Sequence, residues 1–169
     1  MKNTTAKRLA FLSVSVALSM ILAFVESQIP PLSTVPGVKI GLANIVTVFL
    51  LYRLGASEAA FVSVVRVGLS ALLFGSFVSL MYSAFGAALS LAVMIPVKKF
   101  VPLSPIGVSV LGAIAHNAGQ ILAALILLGN SAIVYYLIPL TVSGVLAGIC
   151  VGVLGGIAAE RIKIKGLKK

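Results

Sequence analysis

Charged residues are scarce in this sequence, and acidic residues are almost missing. Only 9% of the residues are charged, the three acidic residues are all glutamates, and 60% of the residues are hydrophobic. A soluble domain of this length would have too few polar side chains to cover its surface, which excludes a soluble protein. Together with the mean hydropathy of +1.21, the composition predicts a protein whose solvent is the lipid bilayer.

Three further absences limit the cofactors and reactions that the chain could support. The chain has one cysteine, Cys150, and one histidine, so it can form neither an intrachain disulfide nor a Cys/His cluster for a metal or haem. It lacks the G-x-x-x-x-G-K-[ST] motif of a P-loop, so it does not hydrolyse ATP by that route. It also lacks tryptophan, which disfavours a stacking pocket for a flavin-like ring. We expect no metal and no cofactor, and we interpret Cys150 as a small packing residue.

Apolar segments fill most of the chain. The first follows a basic N-terminus without a clear small-x-small cleavage site, so we interpret it as a retained helix rather than a signal peptide. The second and third are short for membrane spans. The sequence predicts an all-α membrane protein with one transmembrane domain over residues 1–169 and six spans, at about Leu9–Val25, Ile40–Leu54, Glu58–Phe74, Phe77–Val97, Ile106–Leu128 and Ile133–Ala159.

The basic residues are distributed unevenly between the two sides of these spans. If both termini are cytoplasmic, all of the 13 basic residues except Lys39 and Arg66 fall on the cytoplasmic side. The positive-inside rule and the even number of spans agree with this orientation. The basic residues flank apolar runs instead of alternating with aromatic residues. The net charge of +10 therefore does not indicate a nucleic-acid-binding protein. We expect a multi-pass protein of the cell membrane with no nucleic-acid partner.

Small residues recur at helical spacing in the last and first spans. A glycine at every fourth position forms a stripe on one face of the last span, at Gly144, Gly148, Gly152 and Gly156. Such a stripe lets a second backbone approach closely, so it predicts a helix-packing face. The first span carries a weaker version with Ala6, Ala10, Ser13 and Ala17.

One charge lies within a predicted span. Arg66 follows Glu58 by eight residues, which at about 1.5 Å per residue places it about 12 Å deep and near the midplane. A charge at this depth costs about 2.5–3.5 kcal/mol on insertion scales. Of the three glutamates, only Glu26 is expected at a position from which it could pair with Arg66. Arg66 is therefore either a structural ion-pair residue or a ligand contact.

The fifth span contains three polar residues within about one helical turn, His116, Asn117 and Gln120. His116 and Gln120 are four residues apart and share a helix face, and Asn117 is three residues from Gln120. They predict either an interhelical hydrogen-bond network, with about 0.6 kcal/mol per bond, or a binding site. Both interpretations stay open at this point.

In the predicted orientation these polar residues lie in the outer half of the membrane. Glu26 ends the first span there, Lys39 and Asn44 begin the second, and Arg66 and the three polar residues of the fifth span lie from the midplane outward. This pattern predicts a pocket that is open to the outside, with Lys39 and Asn44 at its rim. Two cations against one carboxylate favour an anionic or carboxylated ligand.

The residues just described also carry a resemblance to a known family. ESQIPPLSTVPGVKIGLAN, the Arg66 helix with its FGSF end, YSAFGAALS and AHNAGQ together resemble the Gx transporter family, whose members are often labelled heptaprenyl diphosphate synthase component I. The family is grouped with the substrate-binding S-components of energy-coupling factor (ECF) transporters. The resemblance implies a six-helix bundle that captures a small molecule on the outer side. It also implies a membrane scaffold subunit and two cytoplasmic ATPases as partners, with docking through small residues of the first helix, either Ser13 and Ala17 or Ala6 and Ala10.

Three functions remain open at this stage. The first is an S-component that binds a small anionic or amphiphilic molecule, such as a vitamin, an isoprenoid or a quinone precursor. The second is a non-catalytic membrane accessory subunit of polyprenyl diphosphate or quinone biosynthesis, because a chain without aspartate lacks the aspartate-rich magnesium motifs of prenyl synthases. The third is a structural or electron-transfer-associated membrane protein. An enzyme is not expected.

The orientation can be tested with single cysteines in a Cys150→Ala background. We expect an impermeant thiol reagent to label Ser33→Cys in intact cells and to leave Lys99→Cys unlabelled until the cells are permeabilised. Labelling at position 99 without labelling at position 33 would reverse the orientation.

Overall fold

The computed structural model describes residues 2–28 and 41–162. Within these ranges the protein consists of helices and short connections, with six α-helices and one 3-10 helix. Lys39, Ser33 and the basic residues from position 163 onward lie outside the described residues. The helices are α1 (Lys2–Gln28), α2 (Asn44–Arg53), α3 (Ala56–Phe74), α4 (Phe77–Phe100), α5 (Pro105–Leu128), a 3-10 helix (Ser131–Tyr136) and α6 (Leu137–Arg161).

Local sequence signals explain several of the helix ends. The Ser76 hydroxyl accepts a hydrogen bond from the Ser79 N–H at 3.2 Å, and Ser104 caps α5 in the same way ahead of Pro105. Serine at the N-cap and proline in the first turn are the residues that a helix start favours. At its other end α5 stops at Gly129, whose φ of 62° is a left-handed conformation that favours glycine.

The second apolar segment forms a shorter helix than the sequence predicts. Five helices in the described residues are long and apolar enough to cross a membrane, whereas α2 has only 10 residues. Ten residues rise about 15 Å, half of the roughly 30 Å hydrocarbon core, so α2 cannot span it alone. The helix begins late because Gly41 adopts a φ of 78° and a turn precedes Asn44.

The centre of the bundle is the short helix α2. Its residues from Val46 to Leu51 are all buried, and Leu50 and Leu51 are almost fully so. Val62 of α3, Val108 of α5 and Val151 of α6 belong to the same core cluster. A helix that is apolar on all sides is stable only when protein or lipid surrounds it. Here the other helices provide those surroundings.

Basic side chains gather at one end of the bundle, which we call the basic end. Arg8 of α1 forms an ion pair with the buried carboxylate of Glu58 in α3. Lys98 donates a hydrogen bond to the Leu51 carbonyl, and the Tyr52 hydroxyl donates to the Leu103 carbonyl at 3.1 Å. These contacts, together with the packing of Gly156 of α6 against Pro105, bring together the helix ends that carry Lys7, Arg8, Arg53, Lys98, Lys99 and Arg161.

At the opposite end the described residues contain no lysine or arginine. By the positive-inside rule, this asymmetry predicts that the basic end faces the cytoplasm. The orientation of the protein in the membrane nevertheless stays a prediction.

The glycine stripe of α6 faces α5 at backbone distance. A Cβ atom at Gly148 would lie 2.8 Å from the Val110 Cα, and one at Gly152 would lie 2.5 Å from the Ile106 Cα. Gly144 and Gly156 contact Asn117 and Pro105 of the same neighbour. Because rigid backbone occupies the space that a side chain would need at Gly148 and Gly152, these two positions leave no room for a larger residue.

We expect Gly148→Leu and Gly152→Leu to destabilise the protein by separating α5 from α6, with overpacking costs of about 1–3 kcal/mol. Gly68→Leu is the matched control, because a Cβ at Gly68 has no neighbour within 4 Å. The thermal unfolding midpoint in detergent should fall for the first two variants and not for the third. Equal midpoints for all three would show that the stripe does not hold the helices together.

Candidate functional site

A polar cavity of about 180 Å³ lies inside the bundle. All six α-helices contribute to its wall. The contributing parts of α1, α2 and α3 are the ends or halves farthest from the basic end, and on α4, α5 and α6 the wall continues toward the core. Six of the seven residues predicted for the pocket line this cavity: Glu26, Asn44, Arg66, His116, Asn117 and Gln120. The seventh, Lys39, lies outside the described residues, so its place at the rim stays a prediction.

Arg66 lies in the middle of α3, about 15 Å along the helix from Ala56. Its Nε atom is buried, and it has no hydrogen-bond partner among the described residues. Glu26 interacts with it electrostatically, but the ion pair found within the described residues is the one between Arg8 and Glu58. The expected pairing of Arg66 with Glu26 is therefore a longer-range attraction, which leaves the guanidinium N–H groups without a carboxylate bonded to them.

Glu26 holds the turn in front of α2. Its Oε1 atom accepts a hydrogen bond from the Gly41 N–H at 2.5 Å, which ties the end of α1 to the chain that enters α2. Asn44 is the first residue of α2, and Gly41, Ala43 and Asn44 all line the cavity. The N-terminus of α2, with its partial positive charge, is therefore part of the cavity wall.

The polar cluster of α5 divides into residues with different roles. The Asn117 side-chain amide donates a hydrogen bond to the Leu140 carbonyl of α6 at 2.5 Å, so this residue connects two helices. The His116 ring packs against Gly86 of α4, where a Cβ atom would lie 2.7 Å from it. Gln120 is only 7% exposed, and its Oε1 atom has no hydrogen-bond partner among the described residues.

Serines line much of the cavity wall, although none was among the residues predicted for the pocket. Six serines line the cavity, and those of α4 lie on one helix face at the spacings i, i+4 and i+11. This spacing was a signal that the sequence alone could have provided. No phenylalanine, tyrosine, leucine or isoleucine of the described residues lines the cavity. The serines are Ser27, Ser70, Ser79, Ser83, Ser90 and Ser109.

The small residues predicted for partner docking lie on the outer face of α1. Ala6, Ala10, Ser13 and Ala17 are all exposed, next to exposed Leu9 and Val14. Either lipid or a membrane partner fits such a face, so the docking role stays a prediction.

The structure also shows where the residue types that hold metals and the single cysteine lie. The described residues contain no group of three His, Cys, Asp or Glu side chains that could hold a metal ion. The interpretation of Cys150 as a packing residue is wrong, because Cys150 is exposed on α6. Its position four residues before Leu154 and four after Leu146, both also exposed, places it on the outward face of the helix.

The fold and the cavity define a multi-pass, all-helical membrane protein with a polar chamber between its helices. The chain belongs to the family described as heptaprenyl diphosphate synthase component I, whose model matches residues 12–157. The matched range includes every described residue that lines the cavity. Comparisons with curated proteins and with solved structures gave no significant match.

Proposed function

We propose that this protein is a non-catalytic membrane component that binds a small anionic molecule in the polar cavity. The observation that carries the proposal is Arg66, a charged side chain in the cavity wall with a buried nitrogen that no described residue hydrogen-bonds. An anion in the cavity would supply the missing acceptor and would balance the charge.

Energetics favour a ligand over a purely structural role for Arg66. Keeping a charge at this depth costs about 2.5–3.5 kcal/mol on insertion scales. A structural arginine recovers this cost through close carboxylate or carbonyl partners, which the described residues do not provide. The planar guanidinium can bind a carboxylate or phosphate with two parallel hydrogen bonds.

Two biological roles are compatible with such a binding protein. The description of its family supports the first, a membrane accessory component of heptaprenyl diphosphate synthesis. The second is the S-component of an ECF-type uptake transporter. It is supported by the parts of the cavity wall from α1, α2 and α3, which lie away from the basic end and would face outward in the predicted orientation. The exposed small residues of α1 would then face the scaffold subunit.

The binding proposal predicts a strong effect of small changes at Arg66. We expect Arg66→Lys and Arg66→Ala to insert and fold, yet to bind the anion at least about tenfold more weakly, a loss of about 1.4 kcal/mol. Lysine retains the charge but not the planar fork, so it should not restore binding. The measurement is binding in nanodiscs of the molecule that co-purifies with the parent protein and is identified by mass spectrometry.

Arg53→Lys and Arg53→Ala serve as matched controls, because Arg53 lies at the basic end and does not line the cavity. Both should bind the ligand like the parent protein. Parental affinity in folded Arg66→Ala would return Arg66 to a structural role and remove the basis of the proposal.

The two roles predict different partners. An S-component needs a scaffold and ATPases, so cells should accumulate the identified ligand only when an ECF module is co-expressed with the chain. An accessory component should instead associate with a prenyl diphosphate synthase and raise its chain-elongation rate without any ATPase. ATPase-dependent uptake would rule out the accessory role, and synthase stimulation without uptake would rule out the S-component role.

A further inference from the structure

We propose that the ligand enclosed by the cavity is a small hydrophilic anion that carries hydroxyl or amide groups, and that no prenyl chain or aromatic ring lies inside it. This inference rests on the proposed function and names the chemical class of the ligand. It differs from that function in excluding the amphiphilic molecules, isoprenoids and quinone precursors, that the sequence leaves open.

The size of the cavity limits the size of the ligand. A dry cavity of about 150 Å³ holds one benzene molecule, and pockets for drug-sized ligands reach about 300–1,000 Å³. At about 180 Å³, the cavity has room for a group slightly larger than benzene. A heptaprenyl chain is many times larger and cannot lie wholly within it.

The chemistry of the wall sets the second limit. The apolar residues of the wall are alanines, three valines and Met94, and no leucine, isoleucine or aromatic side chain of the described residues, which a prenyl chain or a quinone ring would be expected to contact, lines the cavity. The wall instead presents the hydroxyl groups of six serines, of which Ser79, Ser83 and Ser90 lie on one face of α4. Burying an alkyl chain against the Ser70 hydroxyl, which has no hydrogen-bond partner among the described residues, would leave it unsatisfied, which is unfavourable.

Unpartnered polar atoms indicate where the ligand has its own polar groups. Arg66 Nε and Ser70 Oγ are buried and have no hydrogen-bond partner among the described residues. Ser70 follows Arg66 by one helical turn, so both are on the same face of α3 and suit one anionic group.

Gln120 of α5 supplies the second polar contact. Its buried Oε1 atom also has no partner among the described residues. Because an amide can present either its oxygen or its NH₂ group after rotation, Gln120 suits a ligand hydroxyl or amide. A ligand that bonds both Arg66 and Gln120 therefore combines an anionic group with an uncharged polar group.

The test compares probes that share one feature and differ in another. Glycerate has a carboxylate and hydroxyls, isovalerate has the same carboxylate on a branched alkyl group of similar size, and glycerol has hydroxyls without charge. Farnesyl diphosphate adds a prenyl chain to a strong anion. Binding is followed as the rise in the thermal unfolding midpoint, measured by circular dichroism, as each probe is titrated into purified protein.

We expect glycerate to bind at least about fivefold more tightly than isovalerate or glycerol, and farnesyl diphosphate to give no rise that depends on Arg66. Arg66-dependent binding of isovalerate or farnesyl diphosphate at equal or higher affinity would overturn this inference while leaving the proposed anion site intact. If glycerate, isovalerate and farnesyl diphosphate all fail to stabilise the protein, both this inference and the proposed function are overturned.

Gln120→Leu tests the second polar contact. Removing a buried amide atom that has no partner should raise the unfolding midpoint of the ligand-free protein, and the same change should weaken glycerate binding about fivefold without weakening isovalerate. Gln28→Leu is the matched control, because Gln28 is exposed and does not line the cavity. Unchanged glycerate affinity in Gln120→Leu would contradict the proposed contact.

Discussion

The bilayer provides no water to the peptide groups, and the rest of the structure depends on this constraint. Chain that leaves a helix at membrane depth is tolerated only where protein buries it or where it lines a polar cavity. The turn before α2 meets the second condition, because Gly41 lines the cavity, and Glu26 accepts the hydrogen bond of its N–H. The short helix α2 and the polar chamber beside it are consequences of the same interruption.

Polar residues within the bundle follow two different patterns. The Asn117 side chain donates a hydrogen bond to α6. Its amide lies next to Gly144, where the absence of a side chain leaves room for it. Arg66, Ser70 and Gln120 each keep a buried polar atom without a partner among the described residues. Groups of the first kind hold helices together, whereas groups of the second kind are costly unless a ligand completes them. This difference is the physical basis for assigning the cavity a binding role.

Much of the architecture was predictable because it depends on local properties. Apolar runs placed α3, α4 and α5 to within three residues of their observed bounds, whereas α1 begins seven residues earlier and α6 four residues later than predicted. Six pocket residues were also identified in advance, because a charge or an amide in a membrane span is costly and therefore conspicuous. The length of α2 was not predicted correctly, since hydropathy does not record where Gly41 turns the chain.

By itself the sequence determined that the chain is helical, that it crosses a membrane and that its basic residues accumulate toward one side. These properties follow from composition and from the order of residues along the chain. Only the tertiary structure decided which polar residues share a cavity, that Asn117 is bonded to α6 while Gln120 is not, and that the serines of α4 complete the wall. The reason is that hydrogen-bond partners and cavity walls come from different helices, and their distances depend on how closely residues such as Gly148 and Gly152 let those helices approach.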